Sequence, residues 1–130
     1  FLSHCIAKEL LGTAHTVLYL TSYELYDIFG KAMYNEDEDF SASTEHILDC
    51  DLLIIDDLGT ECLNNMTASQ FFSLLNERHL NQKSTIISTN LFLEDMQNRY
   101  SERIFSRIMN HYTSCKFTGP DIRRLKKSAK

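Results

Sequence analysis

The sequence predicts an α/β fold in which a parallel β-sheet is flanked by helices. The strongest indication is Leu52–Ile55, a run of four consecutive aliphatic residues, which is typical of a strand buried on both faces. A second indication is that strand-like segments alternate with helical ones along the chain. With 130 residues, the chain can bury a core and is expected to form a single domain over residues 1–130.

Three further segments are predicted to be strands. They are Thr16–Leu20, Ser84–Ser88 and Thr113–Phe117. The last of them is followed by a turn at Gly119 and Pro120 and by a basic tail.

Helical periodicity or capping residues mark the segments between the strands. A helix is predicted over Phe1–Leu11, ended by Gly12 in the position that favours a left-handed backbone. Capping boxes are predicted at two helix starts, with the pairs Thr21 with Glu24 and Thr67 with Gln70. The other predictions are an acidic loop over Asn35–Phe40, a short helix near Thr44–Leu48, and a helical region from Tyr100 to Tyr112.

Composition and charge indicate an ordinary globular protein with a basic C-terminal region. Hydrophobic residues make up 43% and charged residues 24% of the chain, as in an ordinary globular protein, and no apolar run approaches the length of a membrane span. The four cysteines form no CxxC pair and no cluster with histidine, which indicates reduced thiols in a cytoplasmic protein. From Arg99 onward nine basic and two acidic residues give a net charge of +7, whereas the whole chain carries −5. Such a basic region is either a solvated surface or a face that contacts phosphate or nucleic acid.

Polar residues follow two of the predicted strands. Asp56 and Asp57 come directly after the central aliphatic run, and Asn90 follows Ser84–Ser88. The carboxyl ends of parallel strands lie on one side of a sheet, where ligands of open α/β folds bind. Adjacent carboxylates there suit a hard divalent ion, most readily Mg²⁺ bound with nucleotide phosphates. The alternative is a buried strand followed by an Asp-rich turn, with an asparagine that opens another turn.

Two arginines are predicted to share a helix face. Arg103 and Arg107 are four residues apart within the helical region that ends near Tyr112. Such spacing usually belongs to a surface that forms salt bridges, for example with Glu102 or Asp121. The alternative is an arginine that reaches the nucleotide of a neighbouring subunit.

Four motifs together carry a family resemblance: LLIIDDLGTE, IISTNL, RYSERIFSRI and FTGPDIRR. In this order and spacing they resemble the AAA+ ATPases of the DnaC/DnaI helicase-loader group and the related IstB transposition helpers. The resemblance implies a P-loop NTPase fold in which Asp56 is the Walker B carboxylate that binds Mg²⁺. It places Asp57 at the position of the catalytic base, where most AAA+ proteins have the longer glutamate, and Asn90 at the sensor position.

The same resemblance extends to the arginines. It makes Arg107 the arginine finger, with Arg103 beside it, and gives Arg123 a position that is basic in related loaders. Lys31 and Tyr34, in the helix after the first predicted strand, are candidates for contact with single-stranded DNA.

One expected motif is missing. The chain has four glycines and no GxxxxGKS/T loop, which in this family cradles the phosphates of ATP. We therefore expect the chain to begin just after that loop, without the first strand of the fold, so that a gap remains inside the sheet. ATP and Mg²⁺ are then expected to bind in the full-length protein, and the chain as given is expected to bind ATP poorly.

The resemblance implies a loader of the replicative DNA helicase, a primosome component that assembles on single-stranded DNA as a homo-oligomer in its ATP state. An IstB-like transposition helper and a non-catalytic binding module remain alternatives. A phosphoacceptor receiver domain is disfavoured, because no other predicted strand ends in the third aspartate that such a domain needs.

Overall fold

A computed structural model of the chain describes residues 1–34, 38–121 and 124. Three strands and six helices alternate in the order α1 (Leu2–Leu11), β1 (Val17–Thr21), α2 (Ser22–Tyr34), α3 (Glu38–Asp49), β2 (Leu52–Leu58), α4 (Asn65–Leu80), β3 (Ser84–Thr89), α5 (Leu93–Arg99) and α6 (Glu102–His111). The strands form a parallel sheet in the order β1-β2-β3, so the aliphatic run of β2 is the central strand. The predicted α/β class is confirmed.

The two faces of the sheet support cores of different size. Alternate residues of β2 point to opposite faces. Leu53 and Ile55 join the larger core, which is built with α2, α4 and α6. Leu52 and Ile54 join a smaller core with α1, which includes Ala7. By the same alternation, Asp56 belongs to the face that α1 covers.

Arg78 of α4 joins two parts of the fold that are distant in sequence. Its side chain is fully buried. Nη1 donates to the carbonyls of Ile47 and Cys50 at the end of α3, at 2.7 and 3.0 Å, and Nη2 donates to the carbonyl of Ser84 at 2.6 Å. Buried charge is tolerated here because the guanidinium donors meet carbonyl oxygens at the negative end of α3.

The helix starts and ends confirm some predictions and correct others. The capping box of Thr21 and Glu24 is present, with the Glu24 carboxylate accepting from the Thr21 amide at 2.8 Å. The box predicted for Thr67 and Gln70 is wrong, because Asn64 caps α4 and Thr67 occupies its third helical position. Gly12 ends α1 with φ −76°, so no left-handed cap forms there.

The acidic loop and the short helix after it were also predicted with the wrong bounds. Helix α3 begins at Glu38 and continues for 12 residues, whereas a helix was expected only near Thr44–Leu48. A five-residue helix would not offset the cost of helix nucleation, and extension adds one hydrogen bond per residue. Of the predicted loop, residues 35–37 lie outside the described residues.

The fourth predicted strand does not form. Residues 113–117 are exposed and lie outside helix and strand. A strand is stable only when its backbone is paired and one of its faces is buried, and this segment has neither.

The three strands are direct neighbours, so no gap is seen among the described residues. Arg123 lies outside the described residues. None of the described helices is long and apolar enough to cross a membrane.

Candidate functional site

Asp56 lies at the carboxyl end of the central strand, between donors from both neighbouring strands. Its Oδ2 accepts a hydrogen bond of 2.5 Å from the Tyr19 hydroxyl of β1, and its Oδ1 accepts one from the Ser88 hydroxyl of β3. Burial by itself would raise the pKa of Asp56, but the hydrogen bonds from Ser88, Tyr19 and the Asp57 amide lower that pKa below its ordinary value. Asp56 is therefore a fixed carboxylate that is charged at neutral pH.

Asp57 is adjacent to Asp56 but has a different environment. Its side chain is exposed, and its backbone has φ 56° at an irregularity of the strand pairing between Ile55 and Leu58. The peptide groups on either side of Asp57 are held by hydroxyl groups. Its amide donates to Ser88 Oγ at 3.2 Å, and its carbonyl accepts from Ser22 Oγ at 2.9 Å. The bulge thus directs the Asp57 side chain to solvent, while the Asp56 side chain stays between the neighbouring strands at the carboxyl end of β2.

The end of β3 reaches β2 through residues that the sequence did not single out. Ser88 contacts both Asp56 and Asp57, and Thr89 Oγ1 donates to the Leu58 carbonyl at 2.6 Å. Asn90 follows immediately and is exposed. The predicted meeting of the two strand ends is confirmed, and Ser88 is the residue that joins them.

Arg103 and Arg107 share one face of α6, as predicted. Both guanidinium groups lie over the ring of Phe72 in α4, at 4.5 and 5.4 Å from its centroid. Arg107 Nη1 is also 2.9 Å from His111 Nε2. Contact with an aromatic face fixes the planes of both arginines.

Glu61 connects the loop after β2 to the junction of α5 and α6. Although only 3% exposed, it accepts hydrogen bonds from the Tyr100 hydroxyl and, at 2.7 Å, from the Gly59 amide. The Arg99 guanidinium is 3.9 Å from Glu61 Oε1. Burial, together with the bond to Glu61, raises the pKa of Tyr100, which therefore remains a donor.

Lys31 and Tyr34 lie at the C-terminal end of α2. Lys31 forms a salt bridge of 2.6 Å with Asp27, and Tyr34 is 87% exposed. Together with Tyr23 and Tyr26 they line a groove of about 360 Å³ against the loop after β2. Among the described residues, the Tyr26 hydroxyl is buried without a hydrogen-bond partner and borders this groove.

The residues at the carboxyl ends of the strands suit a magnesium ion that is bound together with phosphate and water. They suit a metal ion held only by protein side chains less well. Within residues 1–34, 38–121 and 124, no three side chains of His, Cys, Asp or Glu cluster as a metal site. Mg²⁺ is commonly bound by one or two carboxylates together with phosphate oxygens and water. The two oxygens of Asp56 have about four lone-pair sites, of which Tyr19 and Ser88 use two.

The sequence analysis did not single out four residues that hydrogen-bond to Asp56, to Asp57 or to the loop after β2: Tyr19, Ser22, Glu61 and Ser88. Tyr19 and Ser88 could have been found from strand alternation, because they point to the same face as Asp56 once the strands are in register. No pattern in the sequence marks Glu61 as buried.

Three comparisons relate the chain to known proteins. A family model described as IstB-like ATP binding protein matches residues 1–130. No curated protein matches the chain. Among solved structures, the DnaC helicase loader is similar with 24% identity over 75% of this chain and 58% of that chain, at a TM-score of 0.64.

Two structures of DnaA are also similar. Domain III of the Thermotoga maritima replication initiation protein DnaA matches with 21% identity over 95% of this chain and 51% of that chain, at a TM-score of 0.69. A replication initiator DnaA bound to AMPPCP and single-stranded DNA matches with 22% identity over 81% of this chain and 32% of that chain, at a TM-score of 0.60. At these identities the likeness shows the AAA+ fold, and the chain spans between a third and somewhat over half of these structures.

Proposed function

The chain belongs to the family of IstB-like ATP-binding proteins. We propose that it is part of an ATPase that loads a replicative DNA helicase, and that it carries residues that hydrolyse ATP. The observation that supports this most is the pair of carboxylates at the end of the central strand. Asp56 is fixed and charged, and Asp57 beside it is exposed to solvent. The pair offers one group to hold a metal-nucleotide complex and another to accept a proton.

Each group has a part in hydrolysis of the terminal phosphate. Mg²⁺ bound with ATP would neutralise phosphate charge. Asp56 would hold that complex, Asn90 would orient the attacking water, and Asp57 would take the proton from it. An aspartate reaches less far than a glutamate, so slow turnover is expected, as suits a molecular switch.

The proposed partners are single-stranded DNA and the replicative helicase, with the protein acting as a homo-oligomer in its ATP state and as a primosome component. Exposed tyrosines beside Lys31 suit stacking with unpaired bases. One structural neighbour is a helicase loader and another was solved with single-stranded DNA, which supports this choice of partners.

The family match equally favours a second function, that of a transposition helper ATPase. The two functions differ in the protein bound in the ATP state, so co-purification with the helicase or with a transposase distinguishes them. A non-catalytic binding module is the third possibility, and measurement of hydrolysis excludes or supports it.

The carboxylate assignments predict two different defects in the intact protein. Asp56→Asn should weaken Mg²⁺-dependent nucleotide binding. Asp57→Asn should leave binding nearly unchanged and lower turnover by about 10²-fold or more, the scale of a lost general base. Calorimetry and phosphate release measure the two effects, with Asp95→Asn, an exposed aspartate of α5, as control. If Asp57→Asn hydrolyses ATP at the wild-type rate, the base assignment is wrong.

A further inference from the structure

Tyr19 of β1 links the smaller core to the carboxylate of Asp56. It lies opposite Ile54 in the register of β1 and β2, so its side chain is on the same face as Asp56. Its hydroxyl donates to Asp56 Oδ2 at 2.5 Å. Its ring packs against His4 of α1, with 4.3 Å between the ring centroids, and against the smaller core.

The ring of Tyr19 therefore serves for packing, and its hydroxyl serves as a hydrogen-bond donor. Packing on α1 fixes the ring, and the fixed ring places the hydroxyl at the carboxylate. Ser88 donates to the other oxygen of Asp56 from the opposite strand. With a donor on each side, the Asp56 carboxylate cannot rotate without breaking a hydrogen bond.

We propose that Tyr19 is a positioning residue for metal-nucleotide binding, because its hydroxyl holds the Asp56 carboxylate in the orientation that receives the divalent ion. This inference rests on the proposed function of Asp56 as the metal carboxylate. Partners that orient a ligating carboxylate typically change metal affinity 10- to 100-fold when they are removed. Tyr19 contributes through Asp56 and is not expected to contact the nucleotide.

The test is metal affinity in the intact protein, measured without turnover. Mn²⁺ serves as the probe, and free Mn²⁺ is counted by electron paramagnetic resonance in the presence of a saturating non-hydrolysable ATP analogue. Tyr19→Phe keeps the ring and its contact with α1 and removes only the hydroxyl. We expect its apparent dissociation constant for Mn²⁺ to rise about 10-fold or more, with analogue binding in the absence of metal unchanged.

Two matched variants make the result specific. Tyr112→Phe removes a hydroxyl from a tyrosine that packs on the larger core, on the other face of the sheet, and should leave the Mn²⁺ constant at the wild-type value. Tyr19→Leu removes ring and hydroxyl together, and we expect a loss of Mn²⁺ affinity close to that of Tyr19→Phe. A loss in Tyr19→Leu with none in Tyr19→Phe would assign the effect to ring packing and overturn the proposal.

Asp56→Asn separates failure of this inference from failure of the proposed function. If Asp56→Asn binds Mn²⁺ like the wild type, Asp56 is not the metal carboxylate and the proposed function fails with it. If Asp56→Asn loses Mn²⁺ affinity and Tyr19→Phe does not, only the positioning role of Tyr19 is overturned. Loss in both variants supports both.

Discussion

The backbone of Asp57 combines strain and exposure in one residue. Among the described residues other than glycine, only Asp57 and Gln82 have positive φ, and both have 56°. This conformation costs an L-residue about 1–2 kcal/mol. Gln82 lies in the turn that follows α4, where a left-handed residue is common. Asp57 lies within β2, where the strain directs a carboxylate away from the sheet.

The two strained residues allow a matched test at the residue scale. Asp57→Gly and Gln82→Gly should each raise the free energy of unfolding by about 1 kcal/mol, because glycine adopts positive φ without a steric cost. Urea unfolding of both variants measures this. Only Asp57→Gly should also lower ATP turnover, by about 10²-fold in the intact protein. If Asp57→Gly is less stable than the wild type while Gln82→Gly is more stable, the Asp57 side chain stabilises its own loop and the strain is not kept for function.

The helices and strands show which features the sequence determines by itself. The capping box of Thr21 and Glu24 was predictable because the two residues are only three positions apart in the sequence and no better capping residue precedes them. The start of α4 was mispredicted because Asn64 is at least as good a cap as Thr67 and lies one turn earlier. Strand alternation puts Tyr19 and Ser88 on the same face as Asp56, but it identifies them as its partners only when the strand register is known, and the register depends on the whole sheet.

Arg78 gives a prediction at the scale of elements, since it joins α3, α4 and β3. Arg78→Met should lower the free energy of unfolding by about 3 kcal/mol or more, because the buried carbonyls of Ile47 and Cys50 lose their donor. Arg78→Lys should lower it less, since an ammonium group keeps the charge but cannot reach both α3 and Ser84. Chemical unfolding monitored by circular dichroism measures both.

The control for Arg78 is an arginine in a different environment. Arg103 is exposed and contacts the Phe72 ring, so Arg103→Met should change the free energy of unfolding by about 1 kcal/mol or less. Equal effects at Arg78 and Arg103 would mean that the buried hydrogen bonds contribute nothing beyond the loss of a surface arginine.

At the scale of the whole molecule, the two halves of the proposed catalytic machinery lie on different sides of the sheet. Asp56 is on the face covered by α1, where Tyr19 contacts it. Helix α6 buries Ile104 and Ile108 in the core of the opposite face, and its half-buried Arg107 lies over the Phe72 ring of α4. Because α6 packs on the face opposite Asp56, we propose that Arg107 reaches the nucleotide of a neighbouring subunit.

The last prediction follows from this separation. In the intact protein, Arg107→Ala should bind nucleotide normally and fail to hydrolyse it, because an arginine supplied by a neighbour contributes about 10³–10⁵ to the rate. A mixture of Arg107→Ala with Asp57→Asn should recover part of the activity, since some interfaces then pair an intact Asp57 with an intact Arg107. Lys8→Ala, which removes an exposed cation from α1, should keep the wild-type activity and serves as the control for loss of a surface charge. If both mutants assemble together and the mixture stays inactive, Arg107 acts within its own subunit, and its contacts with Phe72 and His111 are then its main role.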